Sequence, residues 1–200
     1  MYMIPIQTKP TRTWFLAHGF SKVPPEVIDG KLLYEHPDGY FINAYGHKPV
    51  HCYKPGRAAL QGRIAYPKLR YYGNRDCHYL TACTFCHIPD RSKGEVVDHI
   101  NGDVLNYSRD NIRVVHKSIN NRDGGFLRKL RNKGINPTYY ATPFLLRFFD
   151  RMAEFKSSHT PYQYQKLSRT DLLNMLVNPE FTVGDPNDRM EYEMTHHMEY

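Results

Sequence analysis

No run of about 18 apolar residues occurs in the chain, which excludes a membrane-spanning helix. The first residues, MYMIPIQTKPTRTW, carry no charged segment leading into an apolar stretch. A secretory signal is therefore not expected, and the expected location is the cytoplasm. Cysteine is scarce, with four residues in 200; in that compartment they are expected as thiols rather than disulfides. No internal repeat and no low-complexity tract is visible.

Acids are the minority charge. The chain holds 27 Lys and Arg against 20 Asp and Glu, a formal charge of +7. Five of those acids and one base lie in residues 185–200, so the first 184 residues carry 26 bases and 15 acids, or +11. A basic body with an acidic tail suits a polyanionic partner, although solubilising charge alone gives the same balance. Hydrophobic residues make up 40% of the chain, enough for a modest core. The length suits one domain, or one small core with appended segments.

Local patterns divide the chain. Pro5, Pro10, Pro24 and Pro25 make the start irregular, and residues 31–45 read as a β-hairpin turning at Pro37-Asp38-Gly39. YPKLRYY, residues 66–72, is a strand candidate, followed by a turn at Gly73-Asn74-Arg75-Asp76. HYLTACTF, residues 78–85, spaces its apolar residues as a short helix does. Residues 95–100 form a β-branched strand closed by Asn101-Gly102, and NIRVV, residues 111–115, is a second strand. A helix is expected from Ser118, stopped by Gly124-Gly125. Pro143–Phe155 and the capping pattern at Ser168 predict a helical C-terminal third. The expected regions are 1–65, irregular with a hairpin and a possible DNA contact; 66–125, carrying the chemistry; 126–184, helical; and 185–200, an acidic solvated tail.

The informative segment is EVVDHINGDVLNYSRDNIRVVHKSINNRD, residues 95–123. Asp98 and His99 end one strand, Asn111 follows His99 by twelve residues, and Asn120 follows Asn111 by nine. Strand, loop, strand and helix fit those gaps and bring the four side chains to one cleft. Hydrolysis of a phosphodiester needs an activated water and stabilisation of charge on the phosphate. A histidine is a suitable general base, which assigns that role to His99. One carboxylate and one amide oxygen, from Asp98 and Asn120, suit a hard divalent cation with open positions. The amide of Asn111 both donates and accepts, so it is expected to pin the loop behind His99.

This segment resembles the HNH, or ββα-metal, endonuclease motif in the form found in phage and intron-encoded homing nucleases. Val97–Gly102, Asn111–Val115 and Asn120 carry the resemblance, and His78, Leu80, Ala82 and Phe85 resemble the short helix that precedes the motif. It covers roughly Tyr66 to Asp123. The resemblance implies an α+β protein with a ββα-metal centre, flanked by the N-terminal hairpin region and the C-terminal helical region. It implies an endonuclease using Mg²⁺ or Mn²⁺ on DNA, with Asp98 and Asn120 as metal ligands, His99 as base and Asn111 as the structural amide. No small-molecule cofactor is expected, and nothing sets an oligomeric state or a target site.

Three departures stand out. His116 replaces a helix-capping Thr, so a weaker cap is expected, with Ser118 as a substitute. Tyr107-Ser108 replaces a common Asn-Arg pair, and Tyr79 replaces an Arg beside His78. His78 is expected to make a structural hydrogen bond under the hairpin. Arg113, Arg122, Arg128, Lys129 and Arg131 are the expected nucleic-acid contacts, with Lys133 beside them and a second basic stretch at Lys54, Arg57, Arg63, Lys68 and Arg70. Another HNH branch binds structural Zn²⁺ through two CxxC pairs; here Cys83-Thr-Phe-Cys86 is alone, His116 and Ile119 stand where the second pair would be, and zinc is not expected. Two alternatives stay open: an inactive HNH-fold DNA-binding protein, and a zinc-stabilised nuclease acting on RNA.

Overall fold

Why residues 33–43 form a sheet is plain from their burial in the computed structural model, which describes residues 10–49, 51–52, 66–178 and 180–181. Strand β2 (Leu33–His36) pairs antiparallel with β3 (Tyr40–Asn43), in register Leu33↔Asn43 to His36↔Tyr40, and β1 (Ser21–Lys22) adds to its other edge. Successive side chains leave opposite faces. Leu33 and Phe41 join one buried cluster with Val23, Ile28, Leu69, Cys77 and Leu80, while Tyr34 and Ile42 join a second with Phe15 and Phe20. Both faces are thus covered. Helix α1 (Arg12–Ala17) covers the second, started by Thr11, whose hydroxyl accepts the Trp14 N–H at 3.2 Å. The Phe15 ring stacks on Tyr34 at 3.9 Å.

The expected hairpin is therefore present, but the strand expected over residues 66–72 is shorter. A small sheet of β4 (His51–Cys52), β5 (Lys68–Leu69) and β6 (Arg75–Asp76) takes only two residues from it. Pro67 has no N–H to donate, and the chain already turns at Tyr72, whose N–H bonds Leu69 O at 3.2 Å. Helix α2 (Cys77–Phe85) follows directly and buries Cys77, Leu80, Thr81, Ala82 and Cys83. It packs against β7 (Glu95–His99) and β8 (Ile112–His116), an antiparallel ribbon in register Glu95↔His116 to His99↔Ile112.

Helix α3 (Lys117–Asn132) corrects two expectations. Its start is capped by His116 itself: Nδ1 accepts the Ser118 N–H at 3.2 Å and lies 2.7 Å from the Ser118 hydroxyl. Its stop is not at Gly124-Gly125. Each interior glycine costs about 1 kcal/mol relative to alanine. Burial of Phe126, Leu127 and Leu130 on the following turns, at roughly 1.5–3 kcal/mol each, outweighs that cost. The helix ends at Gly134, whose φ of +70° lets the Ile135 N–H return to Leu130 O at 3.0 Å.

The described residues form two compact units, one ending at Asn120 and one starting at Asn121. The second is helical: α4 (Thr142–Ser158), α5 (Pro161–Lys166) and α6 (Arg169–Val177). Leu145, Phe148, Phe149, Met152 and Phe155 form the buried stripe of α4, at spacings of three and four, and Leu172, Met175 and Leu176 that of α6. Capping boxes at Thr160 with Gln163 and Ser168 with Asp171 start α5 and α6. Small sheets and many helices make the chain α+β. No helix among the described residues is long and apolar enough to cross a membrane. The acidic stretch 185–200 and the bases Lys54, Arg57 and Arg63 lie outside the described residues.

Candidate active site

Strand β7 presents Asp98 and His99 at the mouth of the loop that joins it to β8. As consecutive strand residues they leave opposite sides of the ribbon. Asp98 faces its cross-strand partner Arg113, whose Nε and Nη2 both donate to Oδ2, at 2.9 and 2.7 Å. The two side chains are only 14% and 19% exposed, so this is a strong, charge-assisted pair. Arg113, expected to contact nucleic acid, is thus engaged with the expected metal ligand.

His99 lies on the side covered by α2 and is 6% exposed. Its ring sits 5.0 Å from that of His78 and 5.9 Å from that of Tyr66. Burial, and then His78, pull the imidazole down to about 4, so it is neutral at neutral pH. Among the described residues, its Nε2 is buried with no hydrogen-bond partner, and so is Nδ1 of His78. The His78 ring packs between those of Tyr66 and His99. Nearby, Asp76 Oδ1 faces Lys68 Nζ at 3.1 Å as an ion pair without hydrogen-bond alignment.

Asn111 ties the loop together. Its Nδ2 donates to Asn106 O at 2.7 Å, its Oδ1 accepts the Asn101 N–H at 3.0 Å, and its carbonyl accepts the Ile100 N–H at 2.9 Å. Both residues that follow His99 are therefore bonded to Asn111, which is itself 2% exposed. The amide occupies both a donor and an acceptor position, as few side chains can.

Asn120 lies in the first turn of α3 with its side chain half-buried, and hydrogen-bonds to neither Asp98 nor His99 among the described residues. Asp98 and Asn120 supply oxygen only, the donor chemistry of a hard divalent cation. That donor set fits Mg²⁺ or Mn²⁺, but a cation at Asp98 competes with the Arg113 guanidinium for the same carboxylate. Among the described residues no group of three His, Cys, Asp or Glu side chains gathers to hold a metal. Burial pushes the Cys77 thiol up to about 12 and the Cys83 thiol up to about 11, and raises Cys86 as well.

The expected phosphate track on α3 has mixed placements. Arg122 Nε donates to the buried Asp123 at 2.7 Å. Lys129 Nζ donates to Tyr164 O at 2.7 Å and lies over the Tyr164 ring. Arg128 and Arg131 are exposed. Sequence reasoning missed the Asp98–Arg113 pair, although the hairpin register places the two residues opposite each other. It also missed the buried Glu35–Thr81 contact, for which an acid in a hairpin strand gives no signal.

With this geometry in place, comparison with known proteins is informative for one stretch. Residues 89–122 match the sequence model of a family described as HNH endonuclease. No curated protein matches the chain, and no solved structure does. The matched stretch contains Asp98, His99, Asn111, Arg113 and Asn120, and it supports the HNH family and a nuclease activity for this part of the molecule.

Proposed function

We propose that the chain is a metal-dependent endonuclease that hydrolyses DNA phosphodiesters, with His99 as the general base. The observation that carries the reading is the clamp of Asn111 on Asn101 and Ile100, which fixes the backbone leaving a buried, neutral imidazole inside the matched segment. A neutral His99 accepts the proton of a water as that water attacks phosphorus. The bond from phosphorus to the 3′ oxygen breaks, leaving a 5′ phosphate and a 3′ hydroxyl. Asp98 and Asn120 would hold a divalent cation, which when bound supplies charge stabilisation at the leaving oxygen. Arg113 holds the Asp98 carboxylate in place through two bonds to Oδ2, a role closer to the site than the phosphate contact expected of it. Arg128 and Arg131, exposed on α3, supply salt-dependent attraction for the backbone.

A second reading has one observation in its favour. The Asp98–Arg113 pair satisfies the carboxylate from within the chain, which suits a DNA-binding relative without activity. Supercoiled plasmid with Mg²⁺ or EDTA separates the two. The expected result is Mg²⁺-dependent nicking by the wild type, abolished by EDTA and reduced at least about 100-fold by His99→Ala. Plasmid retained without cleavage by wild-type protein in Mg²⁺ would favour the inactive reading.

A further inference from the structure

The loop that carries Asn111 is braced from outside the matched stretch. The turn between β2 and β3 is seated against it. Pro37 O accepts the Arg109 N–H at 2.7 Å. Gly39 is buried, at φ +85°, and a Cβ placed there would meet Ser108 N at 2.9 Å and Ser108 Cα and Tyr107 C at 3.1 Å. These are backbone atoms, so the contact has no flexible side chain to give way. The Phe41 ring stacks on Tyr107 at 6.1 Å. Thr81 Oγ1 adds a further strut, touching Glu35 Oε1 of β2 and lying 3.0 Å from Tyr107 O.

The contact continues inward without a break. Ser108 O accepts the Asn111 N–H at 3.0 Å, and Ser108 N and Oγ both donate to Asn106 Oδ1. Asn106 O accepts Asn111 Nδ2, and Asn111 holds the Asn101 and Ile100 amides next to His99. Every link lies in the first compact unit.

We infer that the Pro37-Asp38-Gly39 turn is a positioning device for the reaction, with Gly39 as a positioning residue that sets the 101–111 loop and, through Asn111, the direction of His99. The catalytic half of this inference rests on the proposed nuclease reading. A displacement of about 1 Å at a reacting group costs on the order of 100-fold in rate, so a small shift of this turn is sufficient to matter.

The structure contains its own control. Gly30 has a φ of +73°, close to that of Gly39, but a Cβ there meets nothing within 4 Å. Gly39→Ala and Gly30→Ala therefore share the backbone strain and differ in the contact. Cleavage of a plasmid in Mg²⁺ is followed with hydrogen exchange of the loop amides. Gly39→Ala is expected to lower kcat about 10- to 100-fold with KM changed less than about threefold, and to speed exchange at Asn101, Asn111 and Arg109. Gly30→Ala is expected to keep wild-type turnover and exchange at temperatures where both variants are folded. Equal turnover in the two variants, or equal exchange in the loop, overturns the inference. A wild type that does not cleave sinks the nuclease reading, and loop exchange then still decides the brace. Should Gly39→Ala not fold, Thr81→Val carries the same expectations, with Thr81→Ser restoring both readouts; unchanged loop exchange in Thr81→Val is the contrary result.

Discussion

Arg113 and Asp98 show how a single cross-strand pair alters a residue's meaning. The guanidinium stabilises the carboxylate through two bonds to one oxygen, and it also stands where a cation must compete. Arg113→Ala is expected to lower stability without metal by about 1–3 kcal/mol, because a half-buried carboxylate loses its two guanidinium bonds. Mg²⁺ should then raise the melting temperature of the variant more than that of the wild type, since binding to the folded state stabilises it. Equal Mg²⁺ shifts in thermal melts of both proteins would contradict the competition. Glu35 gives a second residue-scale outcome. Burial pushes its carboxyl up to about 8, so the folded chain holds a proton that the unfolded chain releases near its ordinary value of 4.5. Its contribution is fully present below pH 4.5 and is lost as pH rises through about 8. His99 has the opposite sign: burial lowers it from 6.5 to about 4, so its contribution is lost on acidification across that window. Glu35→Gln isolates the first effect. Wild-type denaturant stability should fall between pH 6.5 and 8 by on the order of a few kcal/mol, and that of Glu35→Gln should not. Parallel pH curves for the two would show that Glu35 is already ionised.

Elements with strong local signals were legible in the sequence, and those decided by packing were not. The β2–β3 hairpin, the ribbon of β7 and β8, the short helix α2 and the box at Ser168 follow from turn chemistry, β-branching and capping residues. Asp98, His99, Asn111 and Asn120 were picked out by their spacing and all fall inside the stretch that matches the HNH endonuclease model, but as consecutive strand residues Asp98 and His99 leave opposite sides of the ribbon, a separation their spacing did not indicate. What surrounds them was not legible: Tyr66, His78 and Glu35 acquire their settings from contacts far apart in the chain. Gly124-Gly125 misleads for the same reason, since the cost of two glycines is local while the gain of Phe126 and Leu130 arises only on packing. Gly124→Ala is therefore expected to stabilise the chain by about 0.5–1 kcal/mol, because an added Cβ meets nothing within 4 Å. Chemical denaturation checks it; a loss of stability would mean that the helix needs a glycine there.

At the scale of the whole molecule, three facts bear on one function. The body is basic, all but the last two residues of the matched stretch lie in the first compact unit, and the brace from residues 37–41 lies outside that stretch but in that unit. The turn of the N-terminal sheet therefore contacts the same loop that Asn111 ties together. The central claim is that His99 drives water onto phosphorus and expels the 3′ oxygen. An end-labelled DNA duplex incubated with Mg²⁺, with product termini mapped for wild type and His99→Ala, tests it most directly. The account predicts 5′-phosphate and 3′-hydroxyl ends from the wild type and no product above background from a folded His99→Ala. Undiminished cleavage by that variant, or 3′-phosphate ends from the wild type, would contradict it.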